Sequence, residues 1–241
     1  MMSKILLITG WGLGTKPLEN LKTALDMAGF QIDLINIFNA LDPVELSKHV
    51  ELAKKVDVII GWSLGGQLAT LLTQKVFELS GQAKTLITLA SNPCFVANER
   101  WSTGMPLSTF QSFRESFEND PMTTLKRFCY LVSQGSQTAK QDWQSLQNSI
   151  TSEELDLKKQ GLDLLYHLNT VEILKNYVGK QLHVFADDDG LVSNKVLDNI
   201  RKIDAKFFKF EIIPGSHCFS IFRATQLSDK IVQYLRKNEK S

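Results

Sequence analysis

The sequence predicts an α/β protein: a mostly parallel sheet of about six strands with a helical insertion. Three observations carry this expectation. Short β-branched runs alternate with longer stretches of helical periodicity, and such alternation needs crossovers and therefore parallel neighbours. The alternation fails once, between residues 91 and 165, where helical patterns follow one another without a strand. The length, 241 residues and 27.2 kDa, suits one large core that folds without disulfides or a structural metal.

In chain order, strands are expected at residues 4–9, 31–37, 56–60, 85–90, 182–186 and 207–213, all short apolar runs. A first helix is expected over residues 17–28, because Leu18, Leu21 and Leu25 share a face and Gly29 supplies a stop. A second spans residues 67–79. Residues 1–90 and 166–241 form the body, and residues 91–165 a helical lid inserted into it. Within the lid, Phe110, Phe113 and Phe117 fall on one helix face, as do Leu125, Phe128 and Val132. These stripes either pack the insertion onto the sheet or roof a pocket.

Composition excludes several functions. Lys+Arg 27 against Asp+Glu 26 leaves +1, too balanced for a broad phosphate-binding surface, so no nucleic-acid partner is expected. No apolar run approaches the 18 or more residues of a membrane span, and no signal-peptide pattern opens the chain, so a cytoplasmic protein without membrane association is expected. Cys94, Cys129 and Cys218 are widely spaced and read as free core thiols. No His, Cys and carboxylate cluster suggests a metal, no cofactor motif is present, and the chain is expected to be a monomer.

The chemistry concentrates at Gly61-Trp62-Ser63-Leu64-Gly65-Gly66, between an apolar strand and a helix. This is the Gly-x-Ser-x-Gly nucleophile elbow, whose serine sits on a strained strand-to-helix turn that leaves no room for side chains at the flanking glycines. Serine needs a base, and the base needs an acid to orient it. Of four histidines, His49, His167 and His183 read as surface or packing residues. His217 follows the last strand and the turn Pro214-Gly215-Ser216, at the carboxyl edge where α/β sheets place their sites. For the acid, Asp187-Asp188-Asp189-Gly190 follows the fifth strand. Asp189 is favoured because Gly190 permits a tight turn before Leu191 and Val192, with Asp188 the alternative. The oxyanion donors are expected at the N–H groups of Leu64, next to the nucleophile, and Trp11, in Thr9-Gly10-Trp11-Gly12.

Gly10-Trp11-Gly12-Leu13, Gly61-Trp62-Ser63-Leu64-Gly65-Gly66, Ala90-Ser91-Asn92-Pro93-Cys94-Phe95 with Trp101, Lys126-Arg127-Phe128, Thr138-Ala139-Lys140-Gln141-Asp142 and Asp189-Gly190-Leu191-Val192 together resemble the pimeloyl-[acyl-carrier protein] methyl ester esterases of biotin synthesis, of BioH type. The resemblance implies the α/β-hydrolase fold, a catalytic triad of Ser63, Asp189 and His217, oxyanion donation by Trp11 and Leu64, and Phe128 over the acyl chain. It also implies docking of an acyl-carrier protein on basic lid residues, with Arg127 and Lys140 at matching positions. Two other basic family positions read Thr123 and Gln144. The lid as a whole has seven Lys/Arg against nine Asp/Glu, and only Lys126, Arg127 and Lys140, facing Asp142, form a basic middle. Three further departures are Thr9 where the family has His, residues 36–43 where it has Gly-x-Gly-x-Ser, and the lack of a leading hairpin.

The expected activity is therefore serine carboxylesterase hydrolysis of the methyl ester of pimeloyl-acyl-carrier protein. Two other readings are a general small-ester or thioester hydrolase with the same triad, and a non-catalytic ligand-binding relative.

Overall fold

A computed structural model describes residues 3–193, 195–203 and 205–239. Six strands, β1 (Lys4–Ile8), β2 (Gln31–Ile35), β3 (Val58–Trp62), β4 (Thr85–Leu89), β5 (Gln181–Ala186) and β6 (Phe208–Ile213), form one sheet in the order β2-β1-β3-β4-β5-β6. Every neighbouring pair is parallel. The helices are α1 (Glu19–Met27), α2 (Pro43–Lys54), α3 (Leu64–Ser80), α4 (Leu107–Asn119), α5 (Pro121–Ser133), α6 (Ala139–Gln147), α7 (Leu155–His167), α8 (Val171–Asn176), α9 (Lys195–Arg201), α10 (Phe219–Phe222) and α11 (Ala224–Glu239). Helices α1 and α11 pack together, and α2 and α8 pack on α3. This is the α/β-hydrolase arrangement, with α4 to α7 inserted between β4 and α8. Among the described residues, no helix is long and apolar enough to cross a membrane.

The strand order places the site. From β1 the chain winds outward to β2, then returns to the other side of β1 for β3, so the crossovers diverge between β1 and β3. Loops leaving the carboxyl ends of two such strands part and open a crevice. The turn at Thr9 to Gly12 and the turn at Ser63 lie at that point, side by side through the register Ile8↔Gly61.

Strand limits differ from the sequence expectation by one or two residues, for local reasons. Ala90 (φ 48°) and Phe207 (φ 56°) have left-handed backbones, which an extended strand excludes, so β4 stops at Leu89 and β6 starts at Phe208. After β2 the side chain of Asn36 captures the N–H of Ile37 at 2.9 Å, ending the strand at Ile35. The N–H of Val56 still reaches back to Ala53, delaying β3 to Val58, and that strand runs on through Trp62. The expected first helix is divided, because a 3₁₀ turn at Lys16–Leu18 containing Pro17 precedes α1.

Both apolar stripes of the insertion are used twice over. Phe117, Leu125 and Val132 are buried in the common core, while Phe110, Phe113 and Phe128 line a cavity above Ser63. Packing and roofing are thus shared along each stripe.

Candidate active site

Ser63 holds φ 56° and ψ −120° between β3 and α3, a conformation that costs a β-substituted residue on the order of 1–3 kcal/mol. Its surroundings enforce it. The Ser63 N–H donates to the Leu89 carbonyl at 2.8 Å, and side chains at Gly61 or Gly65 would overlap the carbonyl oxygens of Gly65 and Thr9 respectively. The turn can form only with glycines there, and it lifts the hydroxyl clear of the sheet.

The Ser63 hydroxyl lies 3.0 Å from His217 Nε2, and His217 Nδ1 lies 2.8 Å from Asp189 Oδ2. With a carboxylate at Nδ1, the imidazole proton belongs there, which leaves Nε2 free to accept from the serine. The second Asp189 oxygen accepts the N–H groups of Leu191 (2.8 Å) and Val192 (2.7 Å). Gly190 makes that tight return possible, and of the three adjacent aspartates it is Asp189 that meets the histidine. The His217 and Asp189 side chains are 0% and 1% exposed, so water does not compete for their contact.

The neighbouring aspartates hold the histidine loop in place. Asp187 accepts the Gly215 N–H at 2.7 Å, the Asp188 N–H donates to the Gly215 carbonyl at 3.2 Å, and the Trp62 indole donates to the His217 carbonyl at 3.0 Å. Sequence reasoning weighed the three aspartates as rivals for one role. The part played by Asp187 has no sequence signal, because its partner is a backbone group 28 residues away.

Trp11 and Leu64 flank Ser63, and neither backbone N–H has an acceptor among the described residues. The Trp11 indole is buried against Phe113, Phe117 and Phe128, edge to face with Phe128 at 4.8 Å. It donates to the Lys158 carbonyl on α7 at 2.7 Å. Thr9 is also accounted for: its hydroxyl donates to Asn36 at 3.1 Å, and the Asn36 amide donates to Glu154 at 2.9 Å. One chain of hydrogen bonds thereby joins the loop after β1 to the start of α7, through two of the positions where the chain departs from its resemblance.

The cavity over Ser63 is walled by Trp11, Phe110, Phe113, Phe128, Leu131 and Leu162 among others, with the Ser63 hydroxyl its polar feature. Lys126, Arg127 and Lys140 do not enter it. They are exposed on the outer faces of α5 and α6.

The remaining histidines and thiols lie elsewhere. His49 stacks on Phe38, His167 is exposed, and His183 is buried in the sheet. Burial pushes the Cys129 thiol up to about 12 and holds Cys218 well above its ordinary value, the Asp189 charge adding to the latter. Cys218 adjoins His217 yet stays a protonated thiol, a poor nucleophile.

Comparison with known proteins places the chain among esterases. It is 30% identical over 205 residues to a pimeloyl-[acyl-carrier protein] methyl ester esterase of Citrobacter koseri, covering 80% of this chain and 78% of that one. A protein of the same name from Salmonella newport is 28% identical over 204 residues, with the same coverage. Among solved structures, a bromoperoxidase from Bacillus anthracis superposes with a TM-score of 0.80 at 14% identity, covering 98% of this chain and 92% of that one. An esterase from Exiguobacterium antarcticum gives 0.80 at 15% identity, covering 97% and 92%. No family model matches the chain.

Proposed function

The chain belongs to the pimeloyl-[acyl-carrier protein] methyl ester esterase family and is a carboxylic ester hydrolase, and from that premise we propose that it cleaves the methyl ester of a pimeloyl chain carried on acyl-carrier protein, in the cytoplasm, as a step of biotin synthesis. The observation that carries the reading is the hydrogen-bonded series Ser63, His217, Asp189 beneath an apolar cavity.

In the proposed reaction the Ser63 hydroxyl attacks the ester carbonyl while His217 Nε2 takes its proton. Asp189 steadies the resulting imidazolium and keeps Nδ1 protonated. The carbonyl oxygen, now anionic, lies between the Trp11 and Leu64 N–H groups, which have no backbone acceptor among the described residues to give up when it arrives. Collapse of the tetrahedral intermediate expels methanol, which takes the proton back from His217. Water then loses a proton to His217, attacks the acyl-serine carbonyl and releases the free carboxylate.

Residues 91–165 act as the lid over a body of residues 1–90 and 166–241. In the proposed complex the seven-carbon chain lies in the apolar cavity beside Phe128. The exposed cations Lys126, Arg127 and Lys140 then meet the acidic carrier. Arg127→Glu should raise KM for the carrier-linked ester several-fold, and added salt should do the same, because exposed charge pairs are screened. Turnover of p-nitrophenyl acetate should be unchanged in both cases. Equal loss on both substrates, or on neither, would remove carrier docking from the proposal.

The lid's excess of acidic over basic residues, nine against seven, favours a second reading, hydrolysis of small free esters with no carrier. Under it p-nitrophenyl acetate is the better substrate and Arg127→Glu has no effect.

A further inference from the structure

A second cleft lies where the insertion meets the histidine loop. Ser136, Thr138 and Asp142 line it from the insertion, and Ser216 and Arg223 from the body. Among the described residues it shares no lining with the cavity over Ser63. Its polar groups divide by chemistry.

The insertion supplies acceptors. Asp142 is 6% exposed, and its Oδ2 accepts the Thr138 hydroxyl at 3.0 Å. That bond uses the Thr138 proton, so at the 2.8 Å contact between the Ser136 and Thr138 hydroxyls it is Ser136 that donates. Both hydroxyl protons are spent within the wall, and lone pairs are what remains for a guest. Asp142 Oδ1 has no donor among the described residues. It is not one of the sealed polar atoms of the interior, Gln67 Oε1, Trp143 Nε1 and Ser220 Oγ, and therefore opens into the cleft. A carboxylate held this far out of water calls for a cation, and no ion pair meets it among the described residues.

The body supplies donors. Gly215 has φ 129° and no side chain, and Arg223 takes up that space, its Nε 3.3 Å from where a Cβ would stand. The guanidinium stem is thereby laid along the histidine loop. Arg223 is exposed, and its side chain has no acceptor among the described residues. The Ser216 oxygen accepts the Cys218 N–H at 3.3 Å, which leaves the Ser216 proton to donate. Phe219 and Phe222 add apolar lining.

A simple anion or a simple cation would meet one like charge in this cleft. A molecule carrying both charges finds an opposite partner at each end, and the two phenylalanines suit methylenes between them. We infer that the cleft binds a small zwitterion, an amino acid whose ammonium and carboxylate are separated by a short methylene chain. The ammonium lies on Asp142 and the carboxylate on Arg223 and Ser216, so the guest ties the insertion to the loop that carries His217. The inference is independent of the proposed substrate.

Calorimetric titration of the full chain with β-alanine, γ-aminobutyrate and δ-aminovalerate tests it, with butyrate and butylammonium as singly charged controls. One of the three zwitterions should bind one-to-one, at least about tenfold more tightly than either control. Asp142→Asn keeps an acceptor for Thr138 and should lower that affinity by about tenfold, to the level of butyrate. Arg223→Met should lower it as far, to the level of butylammonium. Both variants should keep the wild-type circular dichroism spectrum. The zwitterion should leave KM for p-nitrophenyl acetate unchanged, because the cleft is separate from the cavity over Ser63. Zwitterions that bind no better than the controls, binding that survives either substitution in a folded protein, or competition with the ester would each overturn the inference.

Discussion

The indole N–H of Trp11 donates to the main-chain carbonyl of Lys158 at 2.7 Å. It bolts the loop beside the nucleophile to helix α7 of the insertion. Helix and indole come this close because residue 161, one turn further on, is glycine: a Cβ there would lie 2.6 Å from Trp11 Cδ1. In the proposed mechanism the main-chain N–H of Trp11 holds the oxyanion, so α7, by fixing the indole, bears on the rate through the position of that loop.

Replacing Gly161 tests this link. Gly161→Val should push the indole aside and lower kcat for p-nitrophenyl butyrate by about tenfold to a hundredfold, the scale of losing part of one oxyanion donor. The circular dichroism spectrum should stay native. Full activity in a folded Gly161→Val protein would show that α7 does not set the Trp11 position.

The contact from Thr9 to Asn36 makes a separable prediction. Asn36→Ala leaves the buried Thr9 hydroxyl without its acceptor, at a cost of about 1–3 kcal/mol, and should lower both the melting temperature and kcat. Asn36→Asp keeps an oxygen for Thr9 and for the Ile37 N–H, while setting a carboxylate against Glu154. If Thr9 is the partner that matters, activity should survive in the aspartate variant and fall in the alanine one. Equal activity in the two would exclude it.

His183 gives the fold a pH dependence of defined sign. The ring is buried between Thr88 and Gln181, and burial lowers its pKa from 6.5 to about 3. The folded state thus prefers the neutral ring, and the unfolded chain takes up the proton first. Its contribution to stability is complete above pH 6.5 and is lost as pH falls toward about 3, at up to about 1.4 kcal/mol per pH unit. Urea midpoints for wild type and His183→Gln should converge as the pH is lowered through this window. Parallel curves would contradict the assignment.

The apolar cavity wall predicts a preference among free esters. Dimethyl pimelate offers a neutral far end, whereas monomethyl pimelate would bring a carboxylate toward a space without a cationic partner, which is costly. The diester should be cleaved at least about tenfold faster in kcat/KM, and the monoester should accumulate. Equal rates would place the far end of the chain in solvent.

Much of this was legible in the sequence because its signals are local. The elbow demands glycine at fixed spacing, Gly190 marks the turn after Asp189, and short apolar runs mark the strands. Other features depend on backbone partners far along the chain, and these leave no pattern. The Lys158 carbonyl under Trp11 and the Gly215 N–H held by Asp187 are of this kind. Strand ends were misplaced where a left-handed residue, Ala90 or Phe207, interrupts an apolar run whose composition continues unchanged. The cleft between Asp142 and Arg223 was hidden for a related reason: its two sides come from segments far apart in the chain, and only the fold brings them together.

The central claim is that Ser63 performs the chemistry. Treating the protein with a fluorophosphonate and locating the adduct by mass spectrometry tests it most directly, alongside the Ser63→Ala variant. One adduct on Ser63 is expected, with none in the variant and ester hydrolysis reduced by about 10⁴-fold or more. Labelling at another residue, or hydrolysis that survives Ser63→Ala, would contradict it.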